Sequence, residues 1–278
     1  MSRASFVGVA LAGILAVSPL NASSPDAASP PVTLDMEMTY SGFDVGDVTL
    51  LSDASGGPVV TRIDLRSTGL VRLLTGSKGW AEAATQLDEE GDPQPSRYDS
   101  YFETRRYNRQ IMIRYDEQDG DVSSLQTLKR GQPQDSEVPP AMRNGTIDPM
   151  TLLFALRHWL VDRDRAETST VFEVFDGRRR YDVAVSLLDR VNMTFAGEKR
   201  WAIRLRLVME PLAGFDDDDL LIDWVSQEGE EKWIEALISD DELLIPLRLR
   251  TRGGGITSEQ RTDRICDGSE PCVDGRSS

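Results

Sequence analysis

The chain is poor in the residues that most reaction centres need. One histidine among 278 residues excludes a zinc site built on several imidazoles. It also leaves His158 as the sole imidazole base for any serine or cysteine nucleophile. His158 sits beside Trp159 in the middle of a helical pattern and no G-x-S-x-G turn occurs, so a structural histidine is expected. The two cysteines, Cys266 and Cys272, are too few for a zinc site and not spaced as a redox C-x-x-C. An even pair in an exported chain is expected to form a disulfide that pins the C-terminal segment. Cations are also in deficit: 31 Lys and Arg stand against 47 Asp and Glu, a net charge of −16. Such an exterior repels nucleic-acid phosphates and anionic membranes at long range, so no nucleic-acid partner is expected. Arg105, Arg106 and Arg109 interleave with Tyr98, Tyr101 and Tyr107 like a base-stacking surface. Charge and compartment oppose that reading, and an antiparallel sheet with a charged outer face is expected there.

Met1 to Ala22 carries Arg3, an apolar run from Phe6 to Val17, and Leu20-Asn21-Ala22 before Ser23, the order of a secretory signal peptide. Residues 1–22 are therefore expected to be cleaved and the product to be periplasmic. No cysteine follows the expected cleavage site, which argues against a lipid-modified N-terminus. No later run approaches the length of a membrane-spanning helix, so no transmembrane segment is expected after cleavage. Residues 23–31, rich in Ser, Ala and Pro, read as a flexible leader. Residues 32–262 read as a single β-rich domain, and 263–278 as a polar tail with the cysteine pair.

Apolar residues alternate in several segments. Leu34, Met36, Met38 and Tyr40 oppose Asp35 and Glu37; Val59, Thr61, Ile63 and Leu65 oppose Arg62, Asp64 and Arg66; Ile111, Ile113 and Tyr115 continue the pattern. Asp148-Pro149 supplies an N-cap and a first-turn proline for a helix over Met150 to Arg163, with Leu153, Leu156 and Leu160 in its apolar stripe and Arg157 mostly outside it. That stripe needs a partner, and a curved sheet offers one. Val171 to Phe175 and Arg180 to Leu187 flank a hairpin at Asp176-Gly177. Trp201 to Met209 and Ile245 to Leu249 alternate against arginines, with Pro246 expected at a strand end. Trp233 to Ile238 fits a strand or a short helix.

Three groups are candidates for binding. Leu152, Leu156, Trp159, Trp201 and Trp233 are expected near the apolar interior, where they would line a ligand. Arg178, Arg204 and Arg248 are candidate anion contacts if their strands are neighbours; cross-strand pairing with the many acids is the competing reading. Asp216 and Asp218, in an acidic run, are weak candidates for calcium, since the spacing is not that of an EF-hand and a solvated acidic loop is the preferred reading. No other cofactor is expected.

Asp148-Pro149-x-x-Leu152-x-x-Ala155-Leu156-Arg157, Phe175-Asp176-Gly177-Arg178-x-x-Tyr181, Pro211-Leu212-Ala213-Gly214 and the stretch from Trp233 to Pro246-Leu247-Arg248 follow one another in an order that resembles a secreted bacterial family of unknown function, DUF3108. The resemblance runs from about Thr33 to Gly255. Trp201 departs from it at a position where members often carry a cysteine, so any covalent role of that cysteine does not transfer. The resemblance implies a periplasmic, mainly β protein: one long curved antiparallel sheet, a half-barrel or β-spiral, packed around one central helix, as in lipoprotein-carrier half-barrels and spiral envelope-integrity proteins. It implies no activity. The expected function is a non-enzymatic binding or scaffolding protein of the cell envelope, holding a lipid, a glycan or a segment of a periplasmic partner. The alternative is an envelope hydrolase with paired carboxylates, which predicts an acid of raised pKa in a polar cleft.

Overall fold

The alternating segments form strands whose apolar sides face one core. A computed structural model describes residues 30–55, 57–89, 91–162, 168–215, 233–252, 257–268 and 272–275. The strands before the central helix are β1 (Val32–Tyr40), β2 (Phe43–Asp53), β3 (Val59–Ser67), β4 (Lys78–Leu87), β5 (Pro93–Glu103), β6 (Asn108–Tyr115), β7 (Val122–Lys129) and β8 (Gln132–Gln134). A short helix, α1 (Gly69–Thr75), joins β3 to β4, and α2 (Pro149–Asp162) follows β8. The remaining strands are β9 (Ser169–Phe175), β10 (Arg180–Phe195), β11 (Glu198–Ala213), β12 (Trp233–Ser239), β13 (Pro246–Arg252), β14 (Ser258–Cys266) and β15 (Val273–Asp274).

All of these strands belong to one antiparallel sheet in the order β8-β7-β6-β5-β4-β3-β2-β1-β14-β13-β12-β11-β10-β9, with β15 paired to β14. The chain therefore makes two meanders, and its first and penultimate strands zip them together from Thr33 opposite Cys266 to Tyr40 opposite Ser258. The free edges are β8 and β9, which are consecutive in the chain. The connection between them, including α2, has to cross that opening. It does so in part as a strand substitute: Ile147 pairs in parallel with Val174, taking a bond from Phe175 N and giving one to Glu173 O. The other edge is blunted by its shortness and by Pro133. Register shifts at Met38/Thr39, Asp35/Met36, Ala84/Thr85 and Leu187/Asp189 bend the strands, which lets so wide a sheet curl.

The curl is closed enough that α2 meets β3, β4 and β5 of one meander and β9 of the other. Gly177, in the β9–β10 turn at φ 89°, lies against Ile111 of β6 and Leu125 of β7, so the hairpin of one meander reaches the other. The expected half-barrel or spiral around a central helix is what forms, open at one seam and not closed into a barrel. Trp233 to Ile238 is a strand, and Pro246 starts β13. Cys266 and Cys272 form the expected disulfide. β14 continues past Thr262 to Cys266, so the segment after Thr262 enters the sheet.

The helix is enclosed on more sides than its stripe predicts. From Met150 to Arg157 every residue is buried, including Thr151 and Arg157. The interior of the sheet is thus occupied by the chain's own helix along its first two turns.

Candidate functional site

Two polar positions on α2 stand out because the surroundings are apolar. The first is the cap. Asp148 Oδ1 accepts from the backbone N–H groups of Met150 and Thr151 at 2.8 and 2.9 Å, and Oδ2 accepts from Thr151 Oγ1 at 2.6 Å. Thr151 is linked in turn to Thr85 of β4. Burial of the carboxyl, which is wholly inaccessible, pushes its pKa up to about 6 against these hydrogen bonds, which pull it down. Tyr98, Tyr115 and Tyr181 stand close enough that Asp148 and Asp176 add to the upward push of burial on their hydroxyls. The tyrosines stay neutral, and the group is a polar knot at the base of the helix.

The second is Arg157, which is only 2% exposed. Its Nη2 donates to the carbonyl of Glu242 at 3.0 Å. That carbonyl is held by a well-built turn between β12 and β13: Asp241 Oδ1 accepts from Leu243 N, Leu244 N and Ser239 Oγ, and Ser239 Oγ accepts from Ile245 N. The Nε and Nη1 of Arg157 have no acceptor, and no carboxylate pairs with it among the described residues. Burial draws its pKa down to about 10, so it remains charged at neutral pH. Leu153, Phe154 and Leu160 share its side of the helix by spacing. Val161, four residues and about 6 Å of helical rise further along that side, is 52% exposed. Trp159 Nε1 is a further buried donor without an acceptor among the described residues, on another side of the helix.

The other expected site residues divide. Leu152 and Leu156 are fully buried and Trp159 is half-buried against the core. Trp201 does not join them: it shares the pleat face of Ile203, but at the end of β11 beyond the core, and is 58% exposed. Trp233 shares a face with Glu235 and carries the guanidinium of Arg206 over its ring at 4.9 Å, so it belongs to the charged outer side.

The arginines form no common anion site. Arg204 and Arg248 flank Leu237 in register on β11, β12 and β13. Both face the buried carboxylate of Glu235, at 3.9 and 3.5 Å, and Arg204 also grips Asp189 with two hydrogen bonds. Cross-strand pairing with acids is the reading realised. Arg178 is in the β9–β10 turn, roughly 30 Å along the sheet from Arg204. Its neighbours are Arg109 and Arg179; burial, and after it the charges of Arg178 and Arg179, lower the pKa of Arg109. Asp216 and Asp218 lie outside the described residues. Among the described residues no cluster of three His, Cys, Asp or Glu is placed to hold a metal ion.

Sequence reasoning missed Arg157, because the apolar stripe sends it outward. The available signal was the unbroken apolar run from Leu152 to Leu156, which marks a helix buried all round.

The fold has counterparts among solved structures. A β-barrel-like protein of another domain of unknown function, DUF1849, from Brucella abortus superposes with a TM-score of 0.52 at 12% identity, covering 86% of this chain and 98% of that one. A provisionally assigned lipoprotein from Parabacteroides distasonis covers 87% of this chain and 97% of its own at 6% identity, with a TM-score of 0.33. A provisionally assigned exported protein with a YmcC-like fold from Bacteroides fragilis covers 86% and 100% at 9% identity, with a TM-score of 0.31. The first shares the fold; the other two are more distant. No helix among the described residues is long and apolar enough to cross a membrane. No curated protein matches the sequence. The sequence model of a family described as a protein of unknown function, DUF3108, matches residues 35–259, from β1 into β14, and the chain belongs to that family.

Proposed function

We propose that this chain is a periplasmic, non-enzymatic binding protein of the cell envelope, and that its interior site beside α2 takes the anionic end of an amphiphile, with Arg157 as the anion contact. The observation that carries the reading is the buried guanidinium with Nε and Nη1 unpartnered. A buried donor without an acceptor costs about 1–3 kcal/mol, and a buried charge costs more unless it is paired. A carboxylate or phosphate oxygen pair is the group that a guanidinium fork accepts with two parallel bonds. The apolar residues beside it and the exposed Val161 above it suit a ligand whose charged end enters and whose chain lies along the helix end. Since α2 fills the rest of the interior, the site admits one end of a ligand and not a whole lipid.

The test is native mass spectrometry of the chain exported to a bacterial periplasm, followed by organic extraction. The arms compare the wild-type chain with R157M and add back a fatty acid, phosphatidic acid, inorganic phosphate or a neutral monoacylglycerol. A stoichiometric anionic amphiphile on the wild type, absent from R157M, is expected. Phosphate binding without preference for the amphiphiles would identify a free-anion site. A clean mass with no uptake of any probe would assign ordered water to Arg157 and end the reading.

The hydrolase alternative would use Asp148, the acid whose pKa is raised. Both of its oxygens serve the helix cap and it is inaccessible, so its role is to hold α2.

A further inference from the structure

In an antiparallel meander every second connection falls at the same end of the sheet. The β1–β2 turn, α1, the β5–β6 turn and the β7–β8 turn are therefore neighbours. This end exposes large apolar side chains: Phe43 is 75% exposed, Leu70 68%, Leu73 65% and Leu74 61%. Thr68 ties them together, giving its backbone N–H to Val45 O at 3.1 Å and its hydroxyl to Asp44 at 3.0 Å. Only Val71 of α1 is buried, so this helix presents leucines to solvent.

Cations border the leucines. Arg105 N donates to Thr75 O, and the Arg105 side chain lies over Gly76 at the end of α1. Arg130 Nη2 donates to Arg106 O at 2.9 Å. Arg72, Arg105, Arg106, Lys129 and Arg130 are all exposed, and among the described residues none of them forms an ion pair. Two of the described acids at this end are engaged: Asp44 accepts from Thr68 and Gly46, and Glu103 pairs with Lys78. Around α1 and the β5–β6 and β7–β8 turns, the five cations and the exposed leucines thus form a basic, apolar patch of described residues on a chain of net charge −16.

We propose that this end docks on an anionic lipid surface, with Phe43, Leu70, Leu73 and Leu74 entering the headgroup boundary and the five cations meeting lipid phosphates. Charge decides the occupant. A second copy would set the same basic rim against itself across a two-fold contact, which like charges oppose. An anionic bilayer satisfies both the cations and the leucines. The repulsion expected from the net charge does not govern contact, because it is screened beyond about 10 Å at ordinary salt.

The experiment is flotation of the exported, purified chain with vesicles of pure phosphatidylcholine or of phosphatidylcholine with phosphatidylglycerol. Binding about tenfold or more stronger to the anionic vesicles is expected, weakening with salt. L70S/L73S/L74S and R105E/R106E are each expected to lower it about tenfold with unchanged thermal melting. Equal binding to both vesicles, no binding to either, or a concentration-dependent dimer that L70S/L73S/L74S abolishes would overturn the proposal.

Discussion

Replacing Arg157 by methionine is expected to make the protein more stable and less able to bind. The guanidinium loses hydration on folding, and the fall of its pKa to about 10 is worth roughly 3 kcal/mol at 1.4 kcal/mol per pKa unit. One hydrogen bond offsets this, from Nη2 to the carbonyl of Glu242, and a bond to a charged group is worth about 1.5–3 kcal/mol. Methionine fills much of the same volume without a charge, and the freed carbonyl belongs to an exposed turn residue that water can reach. The balance is a gain of about 0–2 kcal/mol for R157M, read from the urea midpoint of the unliganded protein at an unchanged denaturant slope. A ligand present during unfolding would reverse the order, because it stabilises only the wild type. If R157M instead loses about 3 kcal/mol or more, as when one partner of a satisfied buried pair is removed, Arg157 is a structural residue and the anion site does not exist.

Asp148 gives a pH test. Its folded-state pKa of about 6 lies above the roughly 4 of an unfolded aspartate, so the folded chain binds more protons between these values; this group's contribution is greatest below pH 4 and falls by roughly 3 kcal/mol as pH rises past 6. D148N keeps an oxygen for the capped N–H groups and is expected to lack that slope, so the wild-type-minus-D148N difference in urea unfolding changes by about 3 kcal/mol from pH 4 to above pH 6, while D148A lacks the slope and the cap and is expected to lie about 1–3 kcal/mol below D148N at every pH; identical slopes for wild type and D148N would refute the assignment. Gly177→Ala adds a Cβ that collides with Ile111 at a φ of 89°, so a loss of more than about 2 kcal/mol is expected from thermal or urea unfolding. C266S/C272S opens a loop between residues 6 apart, and a loss of at most about 2 kcal/mol is expected. Hydrogen exchange should place that loss in β15 and the end of β14, and uniform destabilisation of the sheet would contradict it.

Periodicity carried the sheet because inward and outward residues alternate wherever a strand has one wet face, as in β1 with Leu34, Met36 and Met38 buried in turn. It was weakest where that condition fails. β12 is buried from Ile234 to Ser239 on both faces, so its residues show no alternation and fit a helix as well. Trp201 obeys the alternation of β11, yet the strand outruns the core, and a pleat face says nothing about where the core stops. The arginines of β11 and β13 were visible as a strip, but Glu235 between them becomes their partner only once β12 is known to lie between the two strands. α1 is too short for a helical period to register, and nothing in the sequence marks its leucines as exposed.

The position of α2 follows from chain order. The strands that remain unpaired, β8 and β9, flank the helix in sequence, so the helix lies at the seam without any long-range instruction. A sheet of this many strands, curled on itself, encloses more space than inward side chains can fill. A helix within it must therefore be apolar on all sides, and from Leu152 to Leu156 this one is. The rule breaks one residue later, at Arg157, where a leucine or methionine would pack without cost. Its break coincides with the point where the helix nears solvent at Val161. A buried charge with its Nε and Nη1 unengaged is a local inconsistency in an otherwise consistent core, and the proposed anion site is the reading that gives it a purpose.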